Sequence, residues 1–332
     1  MVNSEFEIKR SVLVGDTTDV YLQRTLTILR NENINPVVTI EFSSGAEGII
    51  CGLNEVKALL GRVLPETGSE VWALEEGESV DVNEVALRVK TPYSSIGLYE
   101  TAICGILASS SGWASSAKDC VVAAGGTPVV ALGAHNAHPN IAAEMDYASI
   151  VGGCVSCSTI QGARLASVTP SGNMPHSLNL IIGETVQSIE AFDRHMPQEV
   201  PRISLVDTFR DESEDAINAA RSLRDRLRGI RLGTPDKSSK VSGALVSEIR
   251  ARLDLAGFRH VEIMVSGGFT PEKIRQMVSE NTPVDSFGVG YYISSAEPNP
   301  FTANIQEIDG RPMARKGRIP GVTPNPRLDR VI

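Results

Sequence analysis

The chain has 332 residues, 42% hydrophobic and 21% charged, a balance that supports a substantial buried core in about two domains and excludes a disordered polymer. With 31 basic against 40 acidic residues the net charge is −9, which argues against nucleic acid as a partner but leaves room for a local basic pocket around an anionic substrate. No apolar run nears the roughly 20 residues that cross a bilayer, and the opening MVNSEFEIKR carries no apolar signal core, so neither a membrane nor export is expected.

In chain order, residues 35–42 (NPVVTIEF) and 71–74 (VWAL) read as strands. Residues 53–64 (LNEVKALLGRVL) space their apolar side chains as a helix does, and 84–93 (EVALRVKTPY) reads as a strand ending at a turn. Together they predict a compact α+β unit. The stretch 98–125 is apolar and rich in small residues, which predicts closely packed helices, against a second subunit among other choices.

From residue 128 the rhythm changes. Short buried strands are predicted at 128–132 (PVVAL), 165–168 (LASV), 178–182 (LNLII), 202–206 (RISLV), 229–232 (GIRL), 261–267 (VEIMVSG) and 285–290 (DSFGVG), with helices at 211–227, 242–257 and 270–280. Asp211 and Thr270 suit helix N-caps, Pro271 a first helical turn and Gly257 a C-terminal stop. Strand alternating with helix means parallel strands joined by crossovers, and so many units favour closure into a (β/α) barrel over an open sheet.

A barrel places its chemistry at the carboxyl ends of its strands. There the chain offers HNAHP (135–139), DTF (207–209), RLGTPDKSS (231–239), SGGF (266–269) and GVGYY (288–292). His135 and His138 read as a metal pair, as a base with its partner, or as loop residues; Gly133 and Pro139 favour a loop. The five cysteines are sparse and odd in number, which suits a reducing cytoplasm. Cys154 and Cys157 form a C-x-x-C without a second pair at zinc spacing, and are expected to be small buried residues. Two consecutive strands end in glycine turns, so Ser266, Gly267, Gly268, Gly288 and Gly290 are candidates for a phosphate cradle.

Six stretches carry a resemblance: GDTTDVYLQRT (15–25), YETAICGILA (99–108), SGNMPHSLNLIIG (171–183), VPRISLVDTF (200–209), VSGGF (265–269) and DSFGVG (285–290). In this order they resemble the nicotinate phosphoribosyltransferase family, within the class shared with quinolinate phosphoribosyltransferase. The resemblance implies an irregular (β/α) barrel over 113–292 and a discontinuous N-terminal α/β, sandwich-like domain over 1–112, rejoined by 293–332. It implies transfer of phosphoribose from 5-phosphoribosyl pyrophosphate to nicotinate or a related nitrogen heterocycle, with Mg²⁺ and with ATP as a co-substrate. It also implies a dimer or larger homo-oligomer with shared sites.

Displacing pyrophosphate builds positive charge on the sugar and negative charge on the leaving group, so carboxylates, cations and a phosphate cradle are required. Asp207 is placed for the ribose or the metal, with helix capping as its plain alternative. By the resemblance His176 is the catalytic histidine, and Tyr21 and Arg24 reach an acceptor pocket across a subunit boundary. His135, Asn136, His138, Ser171, Arg231, Thr234, Lys237 and Lys240 complete the expected substrate contacts.

The chain also departs from the resembled pattern. His135 and Asn136 stand where an arginine and a second basic residue are usual, Gly233 stands where an aspartate follows Arg-Leu, and TPDKSSK (234–240) replaces an arginine-rich loop. Tyr291 takes the place of a small hydroxyl residue. Neither His nor Asn reproduces the forked, fixed charge of a guanidinium. A changed acceptor or sugar-phosphate donor, and a non-catalytic ligand-sensing relative, are therefore the alternative expectations.

Overall fold

The structure, a computed structural model, describes residues 6–233 and 241–332. It divides into two compact units, Met1–Ser115 with Ala296–Ile332, and Ser116–Ser295. The division falls inside one continuous helix, Glu100–Ala123, which accounts for the apolar stretch at 98–125. No helix among the described residues is long and apolar enough to cross a membrane.

In the first unit, six antiparallel strands follow the order Arg311–Pro312, Phe301–Ile308, Val37–Ser44, Val85–Pro92, Glu70–Ala73, Asp329–Arg330. Alternation along Val37–Ser44 sends Ile40 and Phe42 into an apolar cluster with Leu87 and Val89, their cross-strand partners. The helix Leu53–Val63 lays Leu53, Val56, Leu59 and Leu60 on the same cluster. The strand expected at 35–42 and the helix expected from its spacing at 53–64 are both present.

The second unit holds six parallel strands in the order Ser156–Cys157, Val129–Ala131, Ser286–Val289, Glu262–Val265, Gly229–Leu232, Ile203–Leu205. The expected irregular (β/α) barrel is present as a curled half-barrel, whose edge strands Ser156–Cys157 and Ile203–Leu205 do not pair with one another among the described residues. Ile230, Leu232, Ile263, Val265, Phe287 and Val289 form its buried interior. Asp211 and Thr270 do cap the helices Glu212–Leu223 and Pro271–Ser279 through their side chains. Gly257, at φ +88°, follows Gly243–Leu255 in the left-handed region that favours glycine.

Two predicted strands are corrected. Residues 165–168 lie at and beyond the end of the helix Ile160–Leu165, and 178–182 lie within the helix His176–Ile182. A short apolar run cannot by itself separate a buried strand from a helix. The punctuation decides: Thr159 caps the first helix, while Pro175 precedes the second and Gly183 ends it at φ +91°. Leu180 and Ile181 are 62% and 83% exposed, which a buried strand would not allow.

Candidate active site

The carboxyl ends of the parallel strands gather most of the expected residues of this unit. After Ile203–Leu205, Asp207 lies almost wholly buried, with its Oδ2 accepting the Gly233 N–H at 2.7 Å and its Oδ1 3.9 Å from His176 Nε2. His176 Nδ1 is 3.1 Å from Thr208 Oγ1. The corrected helix at 176–182 is what brings the imidazole to this strand end.

On the neighbouring strand, Arg231 donates from Nε to Ser266 Oγ at 2.9 Å. Burial pulls its guanidinium below the ordinary value, and the adjacent Asp207 carboxylate pushes it back up. Ser266 is buried and itself donates to the Leu232 carbonyl at 3.1 Å, so its hydroxyl is committed to Arg231 and to the sheet.

Gly233 occupies a filled place. A Cβ there would come 3.1 Å from Ser266 Oγ and 3.4 Å from Arg231 Nε. The missing aspartate is therefore not a simple deletion, because Arg231 and Ser266 hold the space beside its backbone.

The glycine turns separate into two kinds. Gly267 and Gly268 are consecutive residues at φ +96° and +73°, a conformation that glycine adopts without strain, and Lys273 Nζ donates to the Gly268 carbonyl at 2.6 Å. Gly267 and Lys273 border a cavity of about 510 Å³ with Phe269 and Gln276. Gly288 and Gly290 are tightly packed on the side that a Cβ would occupy. A Cβ on Gly288 would fall 2.7 Å from a Leu132 methyl, and one on Gly290 would fall 3.0 Å from the Leu132 carbonyl oxygen.

GAHNAHP forms a loop with one 3₁₀ turn, Ala134–Asn136, and leaves His135, Asn136 and His138 exposed. His138 Nδ1 accepts the Asn140 N–H at 3.1 Å, while His135 Nε2 lies 3.3 Å from the Asn136 amide nitrogen. The loop is held to the sheet, since Leu132 N–H donates to the Val289 carbonyl at 2.7 Å. Ser171 is anchored at another strand end, its N–H donating to the Cys157 carbonyl at 2.8 Å. Cys154 and Cys157 are both buried, and burial pushes the Cys157 thiol up to about 12.

Thr234, Lys237 and Lys240 lie outside the described residues. Tyr21 and Arg24 belong to the first unit, exposed on the helix Val20–Asn31. Tyr21 borders a cavity of about 730 Å³ with Asp19, Tyr93, Glu100, Arg315 and Arg318. Its hydroxyl donates to Asp19 at 3.3 Å. Tyr93 donates to Glu100 at 3.3 Å, and burial raises the pKa of Glu100.

Both halves of the chain match known domains. Quinolinate phosphoribosyl transferase, N-terminal domain, matches residues 19–111, and the C-terminal domain of the same enzyme matches residues 113–302. The chain belongs to this family. Nicotinate phosphoribosyltransferase pncB2 of Mycobacterium tuberculosis is 34% identical over 236 residues, covering 70% of this chain and 49% of the relative. The nicotinate phosphoribosyltransferase of Bacillus subtilis is 26% identical over 240 residues, covering 71% and 48%. The chain spans about half the length of the curated relatives it matches. The crystal structure of nicotinate-nucleotide pyrophosphorylase from Pyrococcus furiosus is similar at a TM-score of 0.86 and 36% identity, over 96% of this chain and 81% of that one. Human nicotinic acid phosphoribosyltransferase, at a TM-score of 0.67 and 18% identity over 92% and 77% of the two chains, shares the fold.

Within this family fold, sequence reasoning passed over Thr208, Asn179 and Lys273. Each carried a readable signal: Thr208 follows Asp207 directly, Asn179 stands three residues after His176 on one helical face, and Lys273 lies in the first turn after the SGG loop.

Proposed function

We propose that this protein transfers phosphoribose from 5-phosphoribosyl pyrophosphate to the ring nitrogen of nicotinate or a related heterocycle, a reaction of NAD biosynthesis in the cytoplasm. The observation that carries the reading is the grouping of Asp207, His176 and Arg231 at adjoining strand ends of a phosphoribosyltransferase half-barrel. As the bond from C1 to pyrophosphate breaks and the bond from nitrogen to C1 forms, Asp207 offers negative charge to the sugar. Arg231 and Lys273 offer positive charge to the leaving group, the 5-phosphate or an anionic acceptor.

Among the described residues no group of three or more His, Cys, Asp or Glu side chains could hold a metal ion. Among the described residues of this strand-end group the donor is a single carboxylate, which would suit Mg²⁺ that arrives with a phosphorylated substrate. Asp207 is the residue that would hold it. When bound, Mg²⁺ neutralises the charge of the departing pyrophosphate. The proposal includes ATP as a co-substrate, and a dimer or larger homo-oligomer in which Tyr21 and Arg24 serve a neighbouring site.

Incubation of the purified protein with 5-phosphoribosyl pyrophosphate, Mg²⁺, ATP and nicotinate is expected to give the mononucleotide with release of ADP. Absence of product, together with absence of binding of either substrate, would overturn the reading. A second reading, the same chemistry on a different acceptor or donor, is favoured by the filled place at Gly233 and by His135 and Asn136 replacing fixed positive charge. A panel of uncharged and cationic heterocycles and of alternative sugar phosphates separates the two; a nicotinate preference of orders of magnitude removes the second.

A further inference from the structure

His176 opens its helix and Asn179 lies three residues on, so both side chains leave the same face. Both reach the hydroxyl of Thr208. Asn179 is fully buried; its Nδ2 donates to the Leu205 carbonyl at 3.0 Å and to Thr208 Oγ1 at 2.9 Å. A carbonyl can only accept, so the amide must present its nitrogen there, and its second hydrogen then enters a lone pair of Oγ1. That leaves the Thr208 hydroxyl its own proton, 3.1 Å from His176 Nδ1. No other acceptor for that proton occurs among the hydrogen bonds of the described residues. The opposite ring nitrogen, Nε2, lies 3.9 Å from Asp207 Oδ1.

We propose that Thr208, oriented by Asn179, is a positioning residue that fixes neutral His176 as its Nε2–H tautomer, the N–H edge turned toward Asp207. The role in catalysis rests on the phosphoribosyl transfer proposed above; the tautomer does not. In this state the ring meets an anionic group as a hydrogen-bond donor. Taking a proton at Nδ1 requires the Thr208 hydroxyl to turn from donor to acceptor. The Thr208 hydroxyl thus sets which ring nitrogen of the imidazole carries the proton and which the lone pair.

The test is a long-range ¹H–¹⁵N correlation spectrum of the full chain labelled at histidine, recorded at a pH where the imidazole is neutral, with His176→Asn identifying the signals. The expected wild-type pattern is a pyrrole-like Nε2 and a pyridine-like Nδ1. Thr208→Val keeps the side-chain shape, removes the hydroxyl, and should move both nitrogens toward averaged values; Thr208→Ser should restore the wild-type pattern. In the assay, Thr208→Val should lower kcat about tenfold with KM for 5-phosphoribosyl pyrophosphate changed less than about twofold, and serine should recover most of the loss. An Nδ1–H pattern in the wild type overturns the proposal without need of any variant, as does an unchanged spectrum in a folded Thr208→Val protein. The expected spectrum in a protein that forms no mononucleotide supports the tautomer and refutes only the activity.

Discussion

At the amino end of the strand Ile203–Leu205, Arg202 is buried and its guanidinium is spent inside the protein. It donates to Asp193 Oδ1 at 2.9 Å and to the carbonyls of Met196 and Pro197 at 2.8 and 2.6 Å, stapling the loop that enters the sheet. At the carboxyl end of the adjacent strand, Arg231 is also largely withdrawn from water. Its described hydrogen bond is a single one, from Nε to Ser266, with Asp207 alongside. The same side chain thus serves opposite ends of one sheet in different ways. Where every N–H is satisfied, the arginine organises backbone; where the fork is left open, it is available to a planar or tetrahedral anion. This is the division of labour expected of a parallel barrel, with stability at the amino ends of its strands and chemistry at the carboxyl ends.

The largest effect should come from Arg202→Met. Removing the cation leaves the Asp193 carboxylate to Arg226 alone and strands the carbonyls of Met196, Pro197 and Val200, and is expected to cost about 3–5 kcal/mol of stability by denaturant unfolding. A loss under about 1 kcal/mol would break the comparison. Arg231→Met should do the reverse, lowering kcat/KM roughly 30- to 1,000-fold while changing stability by less than about 1 kcal/mol. If it unfolds the protein as Arg202→Met does, the two arginines play the same role.

Smaller again, Gly233→Ala sharpens the carboxyl end. Its methyl meets Ser266 Oγ at 3.1 Å and should push Arg231 off its hydroxyl, costing about 1–3 kcal/mol in stability and reducing turnover. Unchanged activity and stability would show that the space beside Gly233 is yielding.

The smallest effect concerns Asp146, which is buried and accepts the Thr159 N–H at 2.7 Å. Desolvation raises its carboxyl above the ordinary value, with the Thr159 hydrogen bonds opposing. A folded-state pKa above the unfolded one means that the protonated form stabilises the fold. That contribution is full below the usual aspartate value of about 4 and is lost as pH rises through the raised value. Urea unfolding between these limits should therefore show a falling component that Asp146→Asn abolishes. A rising component at Asp146 would reverse the sign assigned to it.

Much of this was legible before any coordinates. Spacing alone predicts the helix Leu53–Val63, and the caps Asp211 and Thr270 predict where their helices begin, because local hydrogen bonding and periodicity are properties of neighbouring residues. The runs at 165–168 and 178–182 were misread because apolar length is blind to the capping residues around them. Asp207 was readable from its place after a strand. Its hydrogen bond from Gly233 and its electrostatic pull on Arg231 were not, since they join separate strand ends. Gly288 and Gly290 were readable as a G-x-G turn; that Leu132 and Ser266 crowd the side a Cβ would take was not, since those neighbours follow other strands.

The sequence by itself determined the fold class, the kinship with phosphoribosyltransferases and the list of candidate side chains, because element types and motif order are written along the chain. Only the tertiary structure decided which of those side chains are spent and which remain open. Hydrogen-bond partners such as Thr208 for His176, or Ser266 for Arg231, are remote in sequence, and the availability of a buried polar group depends on whether such partners have already claimed it.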